Sequence, residues 1–222
     1  MIKWLVVPAS TFAQDIDFVF SLVAGMVGFW YVLTNIGFFY LLFRYRKRPG
    51  VRAQYVTGTE HHLKRWVEIP HYLIILCDLA IIASAVQVWY KVKQDLPPAE
   101  AEVQIMSQQW AWSFVHPGLD GKIGTEDDIK TADTLHLEAD KLYHFTLESR
   151  DVLHSFSVPA FRLKQDAVPG RVITGWVEPN RPGTYDLQCT EICGIGHGIM
   201  GAKIIVHTPA DYAAWVASAS TP

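Results

Sequence analysis

Hydrophobic and polar positions divide this chain into two unlike parts. From Phe18 to Phe43 there is no Asp, Glu, Lys, Arg or His. As a helix these 26 residues would measure roughly 39 Å, enough to cross a hydrocarbon core with some tilt. A second apolar run extends from Ile69 to Tyr90 and is interrupted by His71 and Asp78. Pro70 falls where a first-turn proline is tolerated, and Lys91 and Lys93 close the run. The pattern predicts two membrane-spanning helices.

Beyond Pro97-Pro98 the pattern changes to short stretches of period-2 alternation separated by Gly, Pro and Asp. Strands are expected at Val103–Met106, Trp110–Val115, Leu135–Glu138, Tyr143–Leu147, Val172–Val177, Gly183–Gln188 and Ala202–Val206. Short strands at this spacing predict an antiparallel sandwich or barrel. Pro209 to Ser218 reads as a short helix with Tyr212, Trp215 and Val216 on one face. The expected organisation is a lead-in at 1–16, a helical hairpin at 17–95 with a connecting loop at 44–67, and an all-β domain at 96–222.

Charge then sets the orientation. Arg44, Arg46, Lys47, Arg48, Arg52, Lys64 and Arg65 crowd the connecting loop, which the positive-inside rule places in the cytoplasm. Both termini and the β-domain are then extracytoplasmic. A formal net charge of -3 gives no reason to expect a nucleic-acid partner. Residues Met1 to Ala13 admit two readings, a truncated signal peptide ending at Thr11-Phe12-Ala13 or an uncleaved, partly ordered lead-in, and the brief apolar stretch favours the second. Asp78 within the second run is either a proton-path residue or a polar contact to a partner, the plainer of the two.

The residues with the most chemistry form one segment, Cys189-Thr190-Glu191-Ile192-Cys193-Gly194-Ile195-Gly196-His197-Gly198-Ile199-Met200. Two thiols, an imidazole and a thioether within 12 residues suit copper in an electron-transfer site. His154, on a different expected strand end, offers a further imidazole. The cysteines alone would read as a disulfide on the extracytoplasmic side, with His197 on the surface and Met200 in the core. The offsets of His197 and Met200 and the presence of His154 turn the reading towards metal. Three cysteines, Cys77 included, are too few for a disulfide framework. His116, His136, His144 and His207 show no partner spacing and read as strand or surface residues. The loop Asp120 to Asp128 is oxygen-rich and open to a Ca²⁺ reading, but it lacks the EF-hand pattern and reads more simply as a solvated acidic turn.

Across nearly its whole length the chain resembles cytochrome c oxidase subunit II. The likeness rests on Asp151–Phe156 (DVLHSF), Leu163–Arg171 (LKQDAVPGR), Arg181–Tyr185 (RPGTY) and the Cys189–Met200 segment. It implies a cupredoxin fold, a Greek-key sandwich, holding a dinuclear Cu(A) centre of two copper ions. By the same likeness Cys189 and Cys193 bridge both ions, His154 and Met200 complete one, and His197 with the backbone carbonyl of Glu191 completes the other. The Glu191 side chain would also reach a Mg²⁺ shared with the catalytic subunit. Gln109–Phe114 (QWAWSF) is similar to the family's tryptophan-rich strand, in which Trp110 would be the surface ring receiving an electron from cytochrome c. The implied partners are the haem–copper catalytic subunit, which holds the oxygen chemistry, other oxidase subunits, a small redox carrier and the lipid of a bacterial inner membrane.

One position departs from the family. Three residues ahead of Trp66, where a Glu commonly serves a proton channel, this chain has Leu63. Glu60 and Glu68 are the nearest substitutes. A quinol-oxidase subunit would lack the copper ligands. A copper-delivery protein would carry its His far downstream of Cys-x₃-Cys. The Cu(A) subunit of a nitric-oxide reductase would differ mainly in its partner chain. The chain has no Cys-x-x-Cys-His for a fused haem c.

Overall fold

The computed structural model describes residues 6–53 and 55–220 and divides into two units, Phe18–Trp89 and a second made of Met1–Asp17 with Tyr90–Pro222. The first five residues, on which part of the lead-in reading falls, lie outside the described residues.

The first unit is built on α1 (Ala13–Arg44) and α2 (His61–Trp89). Both are long and apolar enough to cross a membrane, and none of their most apolar stretches is buried within the chain. Large side chains such as Phe29, Tyr40, Leu76 and Ile82 stand exposed along them, as expected where lipid or a partner replaces water. Here α2 begins eight residues before Ile69, so Pro70 lies inside the helix and the loop expected over 44–67 is shorter. The cause is local: the Glu60 carboxylate accepts from the Thr57 and Gly58 N–H groups and the Thr57 hydroxyl, and a helix start stabilised this way precedes the apolar run. Glu68 pairs with Lys64 at 3.0 Å. Both acids near Leu63 therefore have structural partners. Asp78 is exposed on α2.

The second unit is a sandwich of two five-stranded sheets. One has the order β3-β2-β1-β5-β8, from β1 (Ala101–Gln108), β2 (Ala111–His116), β3 (Ile129–Ala132), β5 (Tyr143–Ser149) and β8 (Ile173–Val177). The other has the order β4-β10-β9-β6-β7, from β4 (Thr134–Glu138), β6 (His154–Val158), β7 (Leu163–Ala167), β9 (Gly183–Cys189) and β10 (Gly201–His207). The pairs β1–β5 and β4–β10 are parallel and the remainder antiparallel. Inward positions alternate as the sequence predicts, placing Trp112, Phe114, Phe145, Leu147, Phe156 and Leu187 between the sheets. Each such side chain contributes about 1.5–3 kcal/mol by burial. The helix α3 (Pro209–Ala219) is capped by Thr208, whose hydroxyl accepts from Asp211 N–H, and buries Tyr212 and Val216 beside Ile129, with Trp215 packed against them.

Three strands differ from expectation. β6 is buried on both faces, His154 and Ser155 included, so it shows no alternation. β7 has a polar middle on a sheet edge, and β3 is four residues long. Trp110 lies in the turn between β1 and β2 instead of the strand, because its ring is held elsewhere, as described below.

The segment ahead of α1 belongs to the sandwich. Ala9 N–H donates to Ala160 O at 2.8 Å, Asn180 N–H donates to Ala9 O at 3.1 Å, and Ser10 bridges Pro179. Phe12 is fully buried, edge-on to Trp176. Arg162 clasps the segment, donating to both Asp17 carboxylate oxygens at 2.7 and 3.1 Å and to Val6 O at 2.9 Å.

Candidate metal centre

The Cys189–Met200 loop leaves the end of β9, closes through a short 3-10 turn at His197–Ile199 and re-enters the sheet as β10. Cys189 N–H donates to Met200 O at 3.1 Å, which ties the two ends of the loop together. Pairing of Phe156 with Cys189 brings β6 alongside and places His154, at the start of that strand, against the loop.

The donor atoms converge. Cys189 Sγ lies 3.8 Å from Cys193 Sγ, 3.9 Å from His154 Nδ1 and 3.3 Å from Glu191 O. Cys193 Sγ lies 3.7 Å from His197 Nδ1 and 3.8 Å from Met200 Sδ. Both cysteines are free thiols, and they are buried with His154 and Met200. Every donor named from the sequence is therefore gathered in one place. Burial, and then the neighbouring Cys189, push the Cys193 thiol up to about 11. Two thiolates share such a site only with positive charge between them, which a metal cation supplies. The donor chemistry of two thiolates, two imidazoles, a thioether and a carbonyl fits copper.

Two neighbours hold the donors in place, and sequence reasoning did not single them out. His154 Nε2–H donates to Asp151 Oδ1 at 2.9 Å, so Nδ1 is left with its lone pair towards the sulfurs. Asp151 also accepts from Gln109 and Val152 N–H, and these bonds outweigh its partial desolvation and keep its carboxyl below the ordinary range. The three-residue spacing of Asp151 and His154 was the available signal. Gln109 Nε2 and Trp110 Nε1 both donate to Cys193 O, at 2.8 and 3.1 Å.

Glycine explains how Trp110 reaches the loop. A Cβ on Gly196 would stand 2.4 Å from Trp110 Cδ2, and one on Gly194, at φ 118, would stand 3.0 Å from Gln109 Nε2. The indole therefore lies on bare backbone, with 38% of its surface exposed. Around it the loop presents Ile192, Ile195 and Ile199, which are 81%, 96% and 87% exposed.

The Glu191 carboxylate pairs with Lys164 at 3.1 Å, and Lys164 also holds Asp166 at 2.8 Å. Both carboxylates are thus joined to an ammonium. In the 120–128 loop the acids face their own backbone: Asp120 accepts from Lys122 N–H, Asp127 from Asp120 N–H and Asp128 from Gly124 N–H.

The remaining histidines of the sandwich lie in strands, as expected, but three of them also meet, which their spacing did not announce. His116, His136 and His207 meet under α3, although 20 and 71 positions separate the bonded pairs and no local motif announces them. His116, fully buried, donates from Nδ1 to Ile129 O at 3.3 Å and accepts His136 N–H at Nε2. His136 Nδ1 and His207 Nε2 lie 2.8 Å apart in nearly coplanar rings, and Trp215 stacks on His136 at 4.1 Å. His144 stands apart, bonded to Pro97 O at 2.7 Å.

Residues 101–208 match the family described as cytochrome C oxidase subunit II, periplasmic domain. The chain is 33% identical to the alternative cytochrome c oxidase subunit 2 of Bradyrhizobium diazoefficiens, over 98% of this chain and 85% of that one. It is 34% identical to the heme-copper oxidase subunit 2 of Aeropyrum pernix, over 76% of this chain and 74% of that one. The crystal structure of the periplasmic domain of subunit II of cytochrome oxidase from Bradyrhizobium japonicum is similar at TM-score 0.50 and 26% identity, covering 56% of this chain and 96% of that domain. With two long apolar helices ahead of a cupredoxin sandwich, this chain belongs to the cytochrome c oxidase subunit II family of the haem–copper oxidases.

Proposed function

We propose that this chain is the electron-uptake subunit of a respiratory oxidase, anchored in a bacterial inner membrane by α1 and α2 with its sandwich outside the cytoplasm. The observation that carries the reading is the convergence of His154, Cys189, Cys193, His197, Met200 and the Glu191 carbonyl, each within 4 Å of a neighbouring donor. A copper pair held there supplies reversible one-electron exchange with little rearrangement. Cys189, Cys193, His154, Met200, His197 and Glu191 O would together hold the two ions. Burial keeps water from the sulfurs, while Asp151 and the Met200–Cys189 backbone bond fix the donor positions.

Trp110 is the proposed point of electron uptake. Its ring is partly exposed and its N–H bonds directly to the carbonyl of a thiol ligand, and the bare isoleucines beside it offer an apolar surface to a soluble carrier such as cytochrome c. Oxygen reduction belongs to the haem–copper catalytic subunit, and the chain itself contributes no catalytic residue. A Mg²⁺ at Glu191 would have to displace Lys164 and draw its remaining ligands from that partner.

The test is the electron paramagnetic resonance spectrum of the copper-loaded chain. A seven-line mixed-valence signal is expected; a four-line signal or the absence of a thiolate absorption band refutes the dinuclear reading. Trp110→Gln should slow electron uptake and leave the copper spectrum intact. Unchanged turnover would remove Trp110 from the path.

A further inference from the structure

The connection between the apolar helices forms a pocket that the electron-transfer reading does not use. Arg44 ends α1, and the chain then turns at Arg48–Val51, where Val51 N–H donates to Arg48 O at 3.3 Å and Gly50 takes φ 77. The turn folds Arg52 back towards the helix end. Arg44, Arg46, Lys47, Arg48 and Arg52 thereby line one cavity of about 760 Å³. No carboxylate lines it. The nearest acids are engaged elsewhere, Glu60 on the Thr57–Gly58 turn and Glu68 on Lys64. None of the five cations has an ion pair among the described residues. Val56 and Leu63 supply an apolar wall.

Basic clusters beside the cytoplasmic end of a membrane helix attract anionic headgroups by about 1 kcal/mol, or about fivefold, per cation. Arginine adds a planar fork that binds phosphate oxygens bidentately. Four arginines and a lysine around one cavity exceed what orientation alone requires, since that depends on charge count and not on convergence. We propose that this pocket binds the phosphate of an anionic phospholipid headgroup, with Val56 and Leu63 against the glycerol end. The inference rests on the hairpin crossing a membrane and is independent of the copper centre.

The test uses the full chain in a detergent of neutral headgroup, read by native mass spectrometry with phosphatidylglycerol, phosphatidylcholine or inorganic phosphate added. Phosphatidylglycerol should be retained over phosphatidylcholine, and R46Q/R48Q/R52Q should weaken its retention roughly a hundredfold, at about fivefold per cation. R46K/R48K/R52K should recover most of it. Flotation of both variants with phosphatidylcholine vesicles separates the pocket from membrane insertion itself. Equal retention of the two lipids, or an unchanged R46Q/R48Q/R52Q, overturns the proposal, and so does binding of inorganic phosphate without retention of lipid. Should the triple glutamine variant lose helicity, R46Q and R48Q singly should each weaken retention about fivefold, and unchanged retention in both overturns it.

Discussion

Acidification should loosen the sandwich through His116 before the carboxylates titrate. Burial, assisted by His136, pushes the His116 imidazole from its ordinary 6.5 down to about 4, although its bond to Ile129 O works the other way. The folded state therefore binds fewer protons than the unfolded chain between pH 6.5 and 4. A depressed folded pKa on a base means that stability falls as pH falls through this window. The shift corresponds to about 3 kcal/mol by pH 4, with a slope near 1.4 kcal/mol per pH unit at the middle. His136 is also pushed to about 4, by burial and by His207, but its partial exposure shrinks its share through solvent screening. The facing groups are His136 on β4, His207 on β10 and, on α3, Trp215 with Asp211, whose charge works against the depression of His207. Urea unfolding of the full chain in neutral detergent, followed by near-ultraviolet circular dichroism of the sandwich tryptophans, measures the slope. His116→Gln retains a donor for Ile129 O and an acceptor for His136 N–H but cannot titrate, so its slope near pH 5 should be lower by about one proton. Equal slopes in the two proteins would refute the reasoning.

Three further outcomes follow from the geometry. Gly196→Ala places a Cβ 2.4 Å from Trp110 Cδ2, and ordinary carbon contacts of about 3.5–4.0 Å then force the ring off the loop; electron uptake should slow while the copper spectrum persists, and an unchanged rate counts against Trp110. Asp151→Asn removes the carboxylate that orients His154 and should weaken copper affinity about 10–100-fold, measured by competition with a chelator of known affinity. Arg162→Ala removes the two hydrogen bonds that Arg162 gives the Asp17 carboxylate in a largely buried setting and should cost about 1.5–3 kcal/mol, read as a lower unfolding midpoint of the sandwich.

Much of this molecule is written locally. The uncharged Phe18–Phe43 run reads directly as a long helix, and the Cys189–Met200 segment carries four donors within one loop. What escaped is what depends on distant partners. β6 lacks alternation because both of its faces are covered, so the strand that delivers His154 shows no period to detect. Trp110 continues an aromatic alternation but leaves the ladder because a carbonyl 83 positions away accepts its N–H. The start of α2 was hidden because a Thr-Gly-Thr-Glu turn, and not hydropathy, sets it. The histidine cluster had no signature, since its members come from three strands that only the folded sandwich brings together.

The clasp of Arg162 on Asp17 and Val6 concerns counting as much as strength. Where the residues on either side of a pair of apolar helices share one folded body, the number of bilayer crossings between them can only be even. It also imposes an order of assembly. The ribosome delivers Phe12 long before Trp176, so the Phe12 ring has no partner in the sandwich until most of the polypeptide has been made.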